Sequence, residues 1–239
     1  MAENDSYMNM DIADAIIERP QPFEVDGVRY FLYPPSLGKT MLQERRVKAL
    51  GFDMEEVKAE PFKAALRACM EHRETVASII SLNTCRTKEE VFDNSLVDER
   101  TTKLAAQDPE ELATLLVIIM TRYGTTPFIQ YLGLDKEAID RDRVRKCKET
   151  KGSYVFGGKS LYGTVIDYAC ERYGWTMDYV VWGISYQNLQ MLMADAIQSI
   201  YLTEEEQKHC HVHANAAGEE KINGDDPNSV ARLAELLNG

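Results

Sequence analysis

Asp108-Pro-Glu-Glu-Leu-Ala-Thr-Leu-Leu-Val-Ile-Ile-Met-Thr-Arg-Tyr-Gly124 is the stretch that decides the fold class. Asp108 offers a side-chain oxygen to the free N–H groups of a helix start. Pro109 takes the first helical position, where its missing N–H matters least, and Glu110 and Glu111 face the positive end of the dipole. Leu112, Leu115, Leu116 and Ile119 then form an apolar stripe, with Val117, Ile118 and Met120 on other faces. A helix apolar nearly all round is expected in the middle of a bundle. Gly124 is expected to end it in a left-handed conformation.

Upstream, helical patterns continue. Residues 39–50 read as one helix closed by Gly51, and 61–82 as another with a stripe at Phe62, Leu66, Cys69, Val76 and Ile80. Thr87-Lys-Glu-Glu90 reads as a capping box. The clearest β signal is Phe23-Glu-Val-Asp-Gly-Val-Arg-Tyr-Phe-Leu32, two extended runs joined by Asp26-Gly27. That pair suits a type I′ turn, which sets Val25 opposite Val28 and Phe23 opposite Tyr30. Before it, residues 1–19 form a polar lead with Ile12, Ala15 and Ile16, read as a docking helix or a mobile arm, stopped by Pro20 and Pro22.

Downstream, Thr126-Pro127 restarts a short turn and Asp135 opens a charged helix to about Glu149. A glycine-containing break follows around Tyr154-Val-Phe156. Ser160 then caps a helix with Leu161, Val165, Tyr168 and Ala169 on one stripe, ended by Gly174-Trp175. Thr176 opens a helix through Trp182, and Ser185 caps the next, with periodic Leu189, Leu192, Met193, Ala196, Ile197 and Ile200. Thr203-Glu-Glu-Glu206 is a second capping box. Beyond Lys208 the chain turns polar, with a small apolar end at Leu233, Leu236 and Leu237, which reads as a flexible tail. The expected architecture is mainly α: a helical bundle-like core, residues 20–202, carrying an N-terminal two-stranded hairpin, between an arm (1–19) and a polar helix with a flexible C-terminal tail (203–239).

Composition bounds the function. Across 239 residues, 44% are hydrophobic and 28% charged, a globular balance. A net charge of −12 repels phosphates, so neither nucleic acid nor an anionic membrane is an expected partner. The five cysteines, Cys69, Cys85, Cys147, Cys170 and Cys210, are scattered and read as reduced thiols. With no basic-then-apolar leader, and with Leu115–Met120 as the longest strongly apolar run, a cytoplasmic protein without a membrane span is expected.

Candidate chemical motifs have simpler readings. Pro35-Ser-Leu-Gly38-Lys39-Thr40 ends like a phosphate-binding loop, but that loop needs glycine at 33, where this chain has Tyr33. Phe156-Gly157-Gly158-Lys159-Ser160 has Ser153 where its first glycine belongs, and reads as a Gly-Gly turn into a capped helix. His209, Cys210, His211 and His213 supply zinc-type ligands without the second pair a structural site uses. His72 reads as a partly buried helix residue. The basic run Arg141–Lys148 reads as a solvated helix face with cations at the negative dipole end. No G-x-S-x-G or H-E-x-x-H motif occurs. No metal, cofactor or catalytic residue is therefore assigned, and a non-enzyme is expected. The densest aromatic series, Tyr168 to Tyr186, supplies the partner-binding candidates: Trp175, Tyr179, Trp182 and Tyr186.

The run Tyr173-Gly-Trp-Thr-Met-Asp-Tyr-Val-Val-Trp-Gly-Ile-Ser-Tyr-Gln-Asn-Leu-Gln-Met-Leu-Met193 resembles tail assembly chaperones of long-tailed bacteriophages. The hairpin followed by Pro34-Pro-Ser-Leu-Gly-Lys39 is similar to their amino-terminal segment. The resemblance spans about residues 20–202 through separated landmarks. It implies a non-enzymatic protein, made in the cytoplasm of the bacterial host, that coats the tape measure protein and helps recruit tail-tube subunits, with self-association left open. The His-rich tail departs from the smallest members. The alternatives are a structural virion or head–tail connector component, and an enzyme, which a deep pocket of polar groups with perturbed acidities would favour.

Overall fold

The computed structural model describes residues 2–148 and 157–210. It is mainly α with one hairpin, in the order α1 (Ala2–Ile16), β1 (Gln21–Val25), β2 (Val28–Leu32), α2 (Leu37–Ala49), α3 (Met54–Ala59), α4 (Pro61–Glu71), α5 (Arg73–Thr84), α6 (Lys88–Phe92), α7 (Asn94–Ala105), α8 (Pro109–Arg122), α9 (Thr126–Tyr131), α10 (Leu134–Cys147), α11 (Leu161–Tyr173), a π-helical turn (Tyr179–Gly183), α12 (Tyr186–Ala194) and α13 (Glu204–Cys210). The chain divides into two compact units that do not follow the expected 20–202 and 203–239. The first is Met1–Leu132 with Gly157–Met193; the second is formed by the described parts of Gly133–Phe156 and Ala194–Gly239.

The local signals hold. Asp26 and Gly27 have φ of 49° and 73°, and the antiparallel register pairs Val25 with Val28 and Phe23 with Tyr30, whose rings stack at 5.6 Å. Asp108 accepts from the Glu110 N–H, Ser160 from Gly163 and Thr87 from Glu90. Thr203 and Glu206 close a reciprocal box, whereas the Glu90 carboxylate reaches one residue further, to the Arg86 N–H.

The core is organised around α5, not α8. Eight of the twelve α5 residues are buried, and the helix packs against β2, α2, α4, α7 and α8. The donors of its buried polar side chains find acceptors at close range, although Asn83 Oδ1 has no partner among the described residues: Ser81 Oγ donates to the Val97 carbonyl (3.0 Å), Thr84 Oγ1 to Ser81 (2.7 Å) and Asn83 Nδ2 to Ile79 (2.8 Å). Helix α8 buries Leu112, Ala113 and Leu116 fully but leaves Leu115 and Val117–Met120 half-covered. Gly124 is not left-handed; α8 simply stops at Arg122. Pro109–Tyr131, 23 residues of α8 and α9, is by length and composition the one stretch among the described residues able to cross a membrane; an 18-residue window of it has a mean hydropathy of 1.4 and is 28% buried. That exceeds the run of Leu115–Met120 because moderately apolar residues flank it.

Other expectations are corrected. The helix expected over 61–82 breaks at His72 (φ −133°), which lets α4 pack on α8 and α5 on α7. On α4 the buried face is Ala64, Ala65, Ala68 and Cys69, small residues that allow close approach, while Phe62 is exposed. Leu161 is exposed, and Tyr162 packs inward in its place. Helix α12 ends at Ala194, and Ile197, 55% exposed, extends no core face; helices in proteins persist where a buried face rewards them. Cys69, Cys85 and Cys170 are free thiols, but Cys147 is disulfide-bonded, since sequence spacing does not show which thiols a fold brings together.

In the second unit, α10 carries the basic run as a solvated face. Arg143 pairs with Asp140 (3.1 Å) and Lys146 with Asp142 (2.6 Å), and Arg145 donates to Gln198. Residues 149–156 and 211–239, including Tyr154–Phe156, His211, His213 and the terminal leucines, lie outside the described residues, as do the side chains of His209 and Cys210.

Candidate functional site

A cleft of about 840 Å³ opens in the first unit. Four separate pieces of chain form it: the end of α1, the segment after β2, the start of α6, and the π-helical turn. Each piece is set by an identifiable local device.

Glu18 closes α1. Its N–H bonds the Ala15 carbonyl (3.1 Å) and that of Arg19 bonds Asp14 (3.0 Å), a Schellman pairing with Glu18 at φ 54°. Glycine is the usual residue there. Glutamate is explained by its carboxylate, which accepts from the Ser185 N–H (2.7 Å) and from Asn188 Nδ2 (3.1 Å). It thereby neutralises free donors at the start of α12.

Pro34 and Pro35 keep the chain extended after β2, and the Pro35 carbonyl accepts from the Tyr186 N–H (2.8 Å) beside an antiparallel bridge between Ser36 and Ser185. Ser36 then caps α2. In the Gly38-Lys39-Thr40 fragment, Gly38 serves packing rather than phosphate. A Cβ at Gly38 would fall 2.7 Å from the Trp182 ring. Trp182 also meets Phe92 edge-on at 5.4 Å, packs on the cluster of Leu82, Cys85, Val91 and Val97, and lies under Lys88 Nζ at 6.0 Å. Lys88 in turn pairs with Asp178 at 2.5 Å.

Lys39 forms the floor. It is 4% exposed, and its Nζ donates to the Cys85 carbonyl at 2.7 Å and lies 5.9 Å from the centre of the Tyr33 ring. Burial holds its pKa down at about 8, an effect opposed by Cys85, Glu18 and Glu90 nearby. Burial disfavours an ammonium because the interior solvates charge poorly. It acts the other way on thiols, pushing Cys69 up to about 11 and Cys85 upward, so neither is a thiolate at neutral pH.

The four aromatic candidates separate. Tyr179 and Trp182 line the cleft. Trp175 and Tyr186 do not; they pack with the cluster of Leu37, Val165, Ala169, Val180 and Leu189. Trp175 lies between Tyr173 (4.7 Å) and Tyr179 (5.1 Å). The π-helical turn is held at its start by Thr176, whose hydroxyl accepts from the Tyr179 N–H, and Gly183 leaves room for the Tyr179 ring. Ile17, Glu18, Tyr33 and Lys39 were not among the sequence candidates. The nearest signal was the Gly-Lys-Thr fragment itself, read for phosphate.

A smaller cavity of about 210 Å³ lies where α1 covers the corner between α8 and α9. Within its charged lining Asp14 pairs with Arg19 (3.1 Å) and Arg122 (3.9 Å), beside Asp11. Among the described residues no three His, Cys, Asp or Glu side chains gather as metal ligands. A scan against protein-family models, a search of curated proteins and a search of solved structures each give no match.

Proposed function

We propose that this chain is a non-enzymatic tail assembly chaperone that binds apolar helices of the tape measure protein in the host cytoplasm and assists tail-tube assembly. One observation carries the reading: exposed apolar side chains stand along one side of α1, with Asp14 among them, and the last of them lines the aromatic cleft. Tyr7, Met10 and Ile17 fall on one side of α1 and its first turn beyond, and are 64%, 63% and 62% exposed. Ile17 is also a wall of the cleft, beside Phe31, Tyr33, Tyr179 and Trp182. Large exposed apolar side chains that lead into a concave surface suit an amphipathic helix laid along them. The net charge of −12 keeps such a surface dispersed until a partner arrives.

The test is co-expression with a tape measure protein of a long-tailed phage. The wild-type chain should hold that protein soluble and co-purify with it. Tyr7→Glu, Met10→Glu and Ile17→Glu combined should abolish capture while leaving the circular dichroism spectrum unchanged. A tape measure protein equally soluble without this chain, or captured equally by the triple variant, refutes the proposal.

One observation favours a second reading, a lysine-dependent enzyme: an amine of lowered pKa within a cleft. Against it stands the position of that amine, which is already donating to the Cys85 carbonyl. Turnover of a carbonyl compound by the purified chain would reverse the preference.

A further inference from the structure

We propose that the floor of the cleft is a carboxylate-binding site, in which the Lys39 ammonium receives a single carboxylate carried on a slender apolar or aromatic stem. An ammonium has three donors. Among the described residues Lys39 Nζ makes one hydrogen bond, to the Cys85 carbonyl just past the end of α5. A purely structural role as a cap for α5 accounts for that bond and leaves two donors and a full positive charge at the bottom of an open cleft. Burying a charge without partners is costly, so an anion that reaches it gains a charge-assisted bond.

The other charges in the lining set the valence. Lys88 is paired with Asp178, and the Glu18 carboxylate keeps its charge near Lys39 but is hydrogen-bonded to Ser185 and Asn188 rather than to Lys39 Nζ. Arg86 and Glu89 are exposed at the rim and opposite in sign. Lys39 is thus the one buried cation of the lining, and with carboxylates nearby it suits a ligand of a single negative charge better than a dianion. A dianion such as a phosphate monoester would carry its second charge toward Glu18, Glu89 and Asp178. Tyr33, Trp182 and Tyr179 supply aromatic walls for the stem. This site lies in the cleft that the tape measure reading also uses but does not rest on that reading, and its test uses no tape measure protein.

The groups facing Lys39 are Glu18 after α1, Tyr33 after β2, Cys85 after α5 and Glu90 on α6. The test uses the full chain labelled with [ε-¹³C]lysine, with the Lys39 resonance assigned by its loss in Lys39→Arg. Titration with 3-phenylpropionate should shift that resonance saturably and raise the Lys39 pKa by about one unit or more. Affinity should fall about 30-fold between pH 7 and pH 9.5, because only the ammonium binds. The neutral analogue 3-phenylpropanol and the dianion phenyl phosphate should each bind at least about tenfold more weakly than phenylpropionate. A peptide ending in a free carboxylate, compared with its amide, identifies the source. Preference for the acid points to a polypeptide terminus, and binding of neither peptide while phenylpropionate still binds points to a small molecule; both outcomes support the site, whereas equal binding of acid and amide contradicts it. A Lys39 resonance that does not respond to any carboxylate up to about 50 mM, or equal affinity for the alcohol, overturns it.

Discussion

The α-carbon of Gly38 lies against the indole of Trp182, so close that a methyl group at Gly38 would sit 2.7 Å from the ring. This contact joins the start of α2 to the π-helical turn and fixes one wall of the cleft over Lys39. It gives the Gly-Lys-Thr fragment a packing purpose.

Gly38→Ala is therefore expected to destabilise the protein by about 1–3 kcal/mol, the usual cost of overpacking. On helix propensity alone alanine would gain about 1 kcal/mol, so the sign of the change separates the two effects. Urea unfolding measures it. In a Trp175→Phe background, the emission of Trp182 should shift as the ring is displaced.

Much of the fold was legible because its signals are local. Asp26-Gly27 specifies a turn through its own backbone preferences, and Asp108, Ser160 and Thr203 cap helices within three residues of themselves. The central helix was not legible in this way. The buried Ser81, Asn83 and Thr84 make α5 look half-polar, yet each donates to a carbonyl, Ser81 to one on α7 and the other two within α5 itself. Helix α8 has the more apolar text and the more exposed position. The cleft was least legible, since Ile17, Tyr33, Lys39, Lys88 and Trp182 meet only through tertiary packing.

Glu18 provides a second prediction. Glu18→Ala loses the carboxylate that accepts from Ser185 and Asn188 and keeps a side chain at φ 54°. It should cost about 1–3 kcal/mol. Glu18→Gly loses the same hydrogen bonds but relieves the left-handed backbone, and should be about 1 kcal/mol more stable than the alanine variant. Equal urea midpoints for the two variants would show that the backbone conformation carries no strain.

Lys39 gives stability a pH dependence of known sign. Its pKa falls from 10.5 to about 8 in the folded state, so between those values the unfolded chain binds more protons. The penalty is fully present below pH 8 and is relieved as pH rises toward 10.5. Relative to Lys39→Met, the wild-type chain should gain about 3 kcal/mol across that window. Cys69, raised to about 11, and Tyr123, raised to about 12, act in the opposite sense above pH 9 and 10. Both are common to the two proteins and cancel in the difference. A difference in urea-derived stability that is flat from pH 7 to 10.5 would contradict the placement of the amine.

The central claim is that the outer face of α1 and the aromatic cleft form one surface that receives a partner helix. Hydrogen–deuterium exchange of the full chain, alone and with tape measure segments, tests it most directly. The account predicts slowed exchange in residues 7–20 and 176–186 together, with α10 unchanged. Exchange that is unaltered there, or slowed only on elements away from that face, would contradict it.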